Sequence, residues 1–279
     1  MGYFVPQFTE NRAAAREVIP AKMSGSPQLK RVRALHRRKE REQQGLFLVQ
    51  GRKLVIELLA SSLEVEELYA TGEAAQELGL LPSERANNPP DKRTSATILP
   101  MHDMERMGTL QSGNEVLAVV RIPAPTALHM PGSGRFILAL DGVSDPGNLG
   151  TLLRIADWFG AAQVWCAGGV DPFNPKAVQA SMGSLFRLQP CAIDDLPAAL
   201  AQAQKAQVAV YKAEASGANV FSVGLKKPCI LVMGSESHGL SEGVRSAPGT
   251  SIAIPGGGGA ESLNVAAAAA ALCMELVRP

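Results

Sequence analysis

Near the C-terminus an apolar run, Ile252, Ala253 and Ile254, stops at Pro255. Four consecutive glycines follow, and after Glu261, Ser262 and Asn264 come six alanines, Ala266 to Ala271. Proline has no N–H to give a ladder, so it ends a strand. Glycines leave the backbone bare and open to close approach. Ser262 is the expected N-cap, and the alanines are the strongest helix formers in the chain. A strand, a bare loop and a helix start form a general site for a small polar ligand. The same letters also describe a surface loop before a core helix.

The 279 residues suit one large domain or two ordinary ones, and 46% hydrophobic content supports a real core. A formal net charge of +1 means that any nucleic-acid binding rests on local patches. Cys166, Cys191, Cys229 and Cys273 are scattered in apolar runs without a CxxC pair, the pattern of buried free thiols. No His/Cys/Asp spacing suggests a metal. No long uncharged run suits a membrane span, and Glu10, Arg12, Arg16 and Glu17 break any signal-peptide pattern. The expected compartment is the cytoplasm.

Residues 1–26 read as a flexible arm. A charged stretch follows, with Arg31, Arg33, Arg37, Arg38 and Lys39 over an apolar stripe of Leu29, Val32 and Leu35. It is either a phosphate-contacting surface or a solvated helix face. Strands are expected at 46–50, 67–70, near Ile98 and at 116–121, with helices at 53–60, 73–78 and 101–107. Residues 86–92 read as a loop. Alternating strands and helices make 27–121 a small α/β unit. The segment 122–134, with its prolines and glycines, is a linker.

The second unit, 135–279, opens with the strand 136–140. A helix capped by Asn148 follows, then a strand at 163–166, a helix at 175–182 and a short strand at 185–188. A helix at 196–204 and strands at 208–211 and 230–233 lead to the C-terminal strand and helix. The pattern is α/β with a mainly parallel sheet. Three loops follow apolar strands, at 141–150, 234–241 and 255–264. In parallel sheets ligands gather at the carboxyl ends of strands. Neither GxGxxG nor GxxxxGK[ST] is present, which disfavours a dinucleotide or P-loop site.

The three loops together resemble the SpoU (TrmH-like) branch of the SPOUT RNA methyltransferases. Asn148, Gly150 and Arg154 match the first family motif. Gly234, Glu236, Gly239 and Leu240 match the second, a Gly-x-Glu-x-x-Gly-Leu turn. Ile254, Pro255, Gly258, Ser262, Leu263, Asn264 and Val265 match the third. The match runs from about Phe136 to the end, and residues 28–121 resemble the small substrate-binding domain of many members. Gly256 departs from the family, which usually has Met after Ile-Pro.

The resemblance implies a C-terminal α/β trefoil-knot domain behind a small N-terminal α/β substrate-binding domain. It implies S-adenosylmethionine as cofactor, a homodimer, and methyl transfer to a ribose 2′-hydroxyl of structured RNA. Ribosomal RNA, in particular 23S, is expected in preference to transfer RNA. A transfer-RNA enzyme and a non-catalytic RNA-binding protein of the same fold are the alternatives. Arg154, Asn148, Glu236, Ser262 and Asn264 are the implied catalytic group. Met233, Gly234, Ile254, Pro255, Gly258, Ser262 and Leu263 would hold the cofactor, and bulk at Gly234 would fill space the cofactor needs. Arg31, Arg33, Arg37, Arg38 and Lys39 would bind RNA. Each has an ordinary reading too: Asn148 and Ser262 as caps, Glu236 and Arg154 as surface charges, His238 as a loop histidine.

Overall fold

The computed structural model describes residues 26–81, 95–108 and 113–278. The expected arm and the loop at 86–92 therefore lie outside the described residues, apart from Ser26.

The charged stretch forms two short helices, α1 (Pro27–Ala34) and α2 (Arg38–Gln44). Then follow β1 (Leu46–Gln50), α3 (Arg52–Leu59), β2 (Val65–Ala70), α4 (Gly72–Glu77), β3 (Thr97–Ile98), α5 (Met101–Met107) and β4 (Val116–Arg121). The strands form one sheet in the order β1-β4-β2-β3. Its β1–β4 and β4–β2 pairs are antiparallel, and β2–β3 is parallel. Alternation along β1 explains its two faces. Leu46 and Leu48 face α1 and α5, with Leu29, Val32, Met104 and Met107. Phe47 and Val49 face a second core that continues into the C-terminal half of the chain.

That half holds β5 (Phe136–Asp141), α6 (Pro146–Trp158), β6 (Gln163–Ala167), α7 (Pro175–Ser181), α8 (Ser184–Arg187) and β7 (Cys191–Ala192). It continues with α9 (Leu196–Lys205), β8 (Ala209–Asn219), α10 (Val220–Val223), β9 (Cys229–Gly234), α11 (Glu242–Ser246), β10 (Thr250–Ala253) and α12 (Val265–Val277). The six strands form a parallel sheet in the order β10-β8-β9-β5-β6-β7. Both faces are covered, as parallel sheets require. Phe136, Leu138 and Leu140 of β5 face α6 and α12, whereas Ile137 and Ala139 face α9 and α11.

Three expectations need correction. Residues 185–188 lie in the helical turn α8 and at its end, not in a strand. Asn148 does not cap α6: Asp145 does, its Oδ1 accepting from Asn148 N at 2.8 Å, with Pro146 in the first turn. Ser262 does not cap α12: Asn264 does, its Oδ1 accepting from Ala266 N at 2.9 Å and Ala267 N at 3.4 Å. The four cysteines are free; three are buried and Cys166 is partly so. No helix among the described residues is long and apolar enough to cross a membrane.

Candidate active site

Because all six strands run parallel, β5, β9 and β10 end on the same side of the sheet, and their loops meet there. The meeting point is a hydrogen-bonded chain of three side chains. Asn148 Nδ2 donates to Glu236 Oε1 at 2.9 Å, and Asn264 Nδ2 donates to Asn148 Oδ1 at 3.1 Å. Asn148 stands in the first turn of α6, Glu236 in the loop after β9, and Asn264 at the N-cap of α12. Ser144 adds its backbone N–H and its hydroxyl to Glu236 Oε2, both at 3.3 Å. Partial burial pushes the Glu236 carboxyl up. The bond from Asn148 and the backbone amides of Glu236, Ser144 and Asp145 outweigh this and hold it below the usual carboxylate range.

The second loop is closed on itself. Ser235 N donates to Gly239 O at 2.9 Å, and Gly239 N returns a bond to Ser235 O at 3.0 Å. A Cβ at Gly234 would lie 2.3 Å from Gly239 C and 2.5 Å from Leu240 N. The space beside Gly234 is thus taken by this chain's own backbone, which corrects the expectation that bulk there would fill ligand space. Ser241 N donates to Asp141 Oδ2 at 2.6 Å, tying the end of the loop to the end of β5. Gly150 allows α6 to touch α7, since a Cβ there would sit 2.4 Å from Ala177 O.

The third loop is open. A Cβ at any of Gly256 to Gly259 would meet nothing within 4 Å. Leu263 is 56% exposed, Pro255, Gly258 and Ser262 are exposed, and Ile254 is half-buried against the core. Bare backbone beside uncovered apolar side chains fits a ligand with a flat apolar ring and polar edges. Met233 differs from the others: it ends β9 next to Gly234, and its side chain is buried in the core.

Arg154 stands apart from the three-residue chain. It is exposed on α6, and no hydrogen bond or ion pair joins it to another group among the described residues. At 1.5 Å and 100° per residue it lies about 9 Å beyond Asn148 and roughly 120° around the helix. That turns it onto the exposed stripe with Thr151 and Trp158, the latter 74% exposed. His238 is exposed, with Nδ1 2.8 Å from Ser237 Oγ. Among the described residues no group of three or more His, Cys, Asp or Glu is placed to hold a metal.

The basic stretch is divided by its partners. Arg31 pairs with Glu67, Arg37 with Glu40 at 3.2 Å, and Arg38 with Glu42 at 2.7 Å. Arg33 and Lys39 are exposed without such a pair among the described residues. Sequence reasoning missed Ser144, Asp145 and Asp141, all of which brace the site. The Asp-Pro pair at 145–146 was the available signal for a helix start.

Residues 135–274 match the SpoU rRNA Methylase family, and residues 26–118 match the MRM3-like substrate binding domain. The 23S rRNA (guanosine(2553)-2′-O)-methyltransferase RlmP of Bacillus subtilis is 30% identical, over 87% of this chain and 92% of its own length. A solved TrmH-family structure from Porphyromonas gingivalis is 37% identical with a TM-score of 0.77, covering 92% of this chain and 98% of that chain. The SpoU methyltransferase AviRb from Streptomyces viridochromogenes, solved with the cofactor AdoMet, is 28% identical with a TM-score of 0.76. It covers 90% of this chain and 97% of that chain. With an N-terminal substrate-binding domain, a C-terminal methylase domain and the three motifs joined at one end of the sheet, this chain belongs to the SpoU rRNA methylase family.

Proposed function

We propose that the protein transfers a methyl group from S-adenosylmethionine to a ribose 2′-hydroxyl of ribosomal RNA, with 23S RNA the substrate by the precedent of the Bacillus relative. The observation that carries this reading is the Asn264–Asn148–Glu236 chain, which joins the three family loops around an open glycine cradle. In this reading residues 27–121 bind RNA, 135–279 carry the chemistry, and 122–134 connect them.

The cofactor supplies an activated methyl group when bound. Ile254, Pro255, Gly258, Ser262 and Leu263, with the backbone of Met233 and Gly234, would hold it. The work left to the chain is alignment and charge stabilisation. Glu236 locks the second loop onto the first, and Asn148 and Asn264 fix the mouth of the site. Arg154 is the free cation at the helix surface. Its guanidinium does not deprotonate, so it is a poor base. It serves instead to bind the target phosphate and to stabilise negative charge growing on the 2′-oxygen.

A homodimer fits the same reading. Trp158 on α6 and Met274 on α12 are 74% and 64% exposed, and the two helices pack side by side. Large exposed apolar groups on adjacent helices suit an interface. Such an interface would bring Arg154 of one copy toward the other copy's site. The cytoplasm is the fitting compartment by the precedent of the Bacillus relative, since bacterial ribosomal RNA is made there.

The test is a map of ribose methylation over all RNA from cells with and without the gene. Loss of a 2′-O-methyl group from ribosomal RNA is the expected result. Loss confined to transfer RNA would move the substrate, and no loss anywhere would contradict the reading.

A further inference from the structure

Arg41 is the last basic residue of the charged stretch, yet it is only 1% exposed. Its Nε and Nη2 donate to Asp171 Oδ2 at 2.8 and 2.5 Å, across 130 residues of chain. Its Nη1 donates to Leu35 O at 2.9 Å and His36 O at 3.0 Å. The planar fork is therefore shared between its own domain and the methylase domain, a task that suits arginine and not lysine. The other oxygen of Asp171 accepts from Phe173 N at 2.8 Å, so one carboxylate also shapes the turn before α7. Phe173 in turn packs on Phe47 of β1, ring centroids 4.9 Å apart.

From Asp171 a short run of contacts reaches the site. Val170 N donates to Val143 O at 3.0 Å. A Cβ on Gly169 would lie 2.2 Å from the same oxygen, so the two loops touch backbone to backbone. Ser144, the next residue, holds Glu236. A second clamp runs beside the first: Arg187 bonds Glu57 of α3 at 2.6 Å and Asp157 of α6 at 2.8 Å. The first clamp ends on the β6–α7 loop that abuts Val143, and the second ends on α6, which carries Asn148.

We infer that Arg41 is a positioning residue. Its buried pair with Asp171 fixes the substrate-binding domain against the β6–α7 loop, which abuts the segment that holds Glu236, so bound RNA is presented at a set place. The inference rests on the methyltransferase reading above for its catalytic consequence, but not for its structural one. A buried pair loses far more when one member is removed than an exposed pair does, because the remaining charge is left without its partner. Methyl transfer is sensitive to small misplacement.

The experiment uses the full-length protein with Arg41→Met, Arg41→Lys and Asp171→Asn. Asp171→Asn keeps Oδ1 for Phe173 N while removing the charge that holds Arg41. Hydrogen exchange is read over residues 142–145 and 168–174, alongside cofactor affinity, RNA affinity and the single-turnover methylation rate. Arg41→Met and Asp171→Asn are expected to speed exchange in both segments and to lower the rate about tenfold or more. Cofactor and RNA affinities should change little, and Arg41→Lys should fall between. Unchanged exchange would overturn the clamp. A rate that falls only in step with cofactor affinity and melting temperature would overturn the positioning role. Should the unmodified protein methylate no RNA, exchange still decides the clamp, and it is the functional reading that fails.

Discussion

Asn148 and Asn264, 116 residues apart in the chain, share a hydrogen bond in which Asn264 Nδ2 donates to Asn148 Oδ1 at 3.1 Å. The same Asn264 side chain caps α12 through its oxygen. Its amide thus divides its two ends between holding a helix and holding the neighbouring loop.

That division can be separated by substitution. Asn264→Ala should destabilise the protein by about 1 kcal/mol through the lost cap and should lower turnover as well. In Asn264→Asp the carboxylate still caps, but it has no N–H for Asn148. Melting should recover and turnover should not. Full turnover in Asn264→Asp would show that the link between the loops is dispensable.

Gly234 and Gly258 should behave oppositely. An added methyl at Gly234 meets the Gly239 backbone at 2.3 Å, whereas one at Gly258 meets nothing within 4 Å. Gly234→Ala should destabilise by about 1–3 kcal/mol and weaken cofactor binding by deforming the second loop. Gly258→Ala should leave melting unchanged. Calorimetric melting of both variants checks this, and equal melting temperatures would contradict it.

Glu236 sets a pH dependence. Its folded carboxyl lies below the ordinary carboxylate range. Its ionised form is therefore favoured by folding, and the associated stability is present above the unfolded value and lost as pH falls through the folded one. Melting of the unmodified protein relative to Glu236→Gln should show a constant difference at neutral and mildly acidic pH. The difference should shrink as pH falls from the ordinary carboxylate value toward the lower folded one. A difference that grew on acidification would reverse the sign of the argument.

The basic stretch predicts a graded salt effect. Arg37 and Arg38 are engaged with Glu40 and Glu42, whereas Arg33 and Lys39 are not so paired. Neutralising Arg33 and Lys39 should flatten the dependence of RNA affinity on salt by about 0.7–0.9 per lost contact. Neutralising Arg37 and Arg38 should flatten it less. An unchanged slope for all four would make the stretch a solvated face.

Much of this was legible in the sequence because the strands alternate cleanly and the loops after them carry glycine. Residues 101–107 and 116–121 were readable to the residue. Caps were not, because Asp145 and Asn148, or Ser262 and Asn264, are equally good acceptors on paper. Only backbone geometry chooses between them. The run 185–188 is too short for periodicity to tell a strand from a helical turn. Arg41 was illegible for a different reason. Its neighbours in sequence are exposed charges, and its burial depends on Asp171, 130 residues away.

In the function proposed above, the unpaired Arg154 of α6 completes the site formed where the three motifs meet. Single-turnover methylation of saturating RNA, with calorimetric cofactor binding alongside, tests it on Arg154→Ala and Arg154→Lys. Arg154→Ala should lose nearly all turnover while keeping its cofactor affinity. Arg154→Lys should keep part of the RNA binding but little of the rate, because it retains the charge without the planar fork. Near-normal turnover in Arg154→Ala would contradict the account and leave Arg154 an ordinary surface charge.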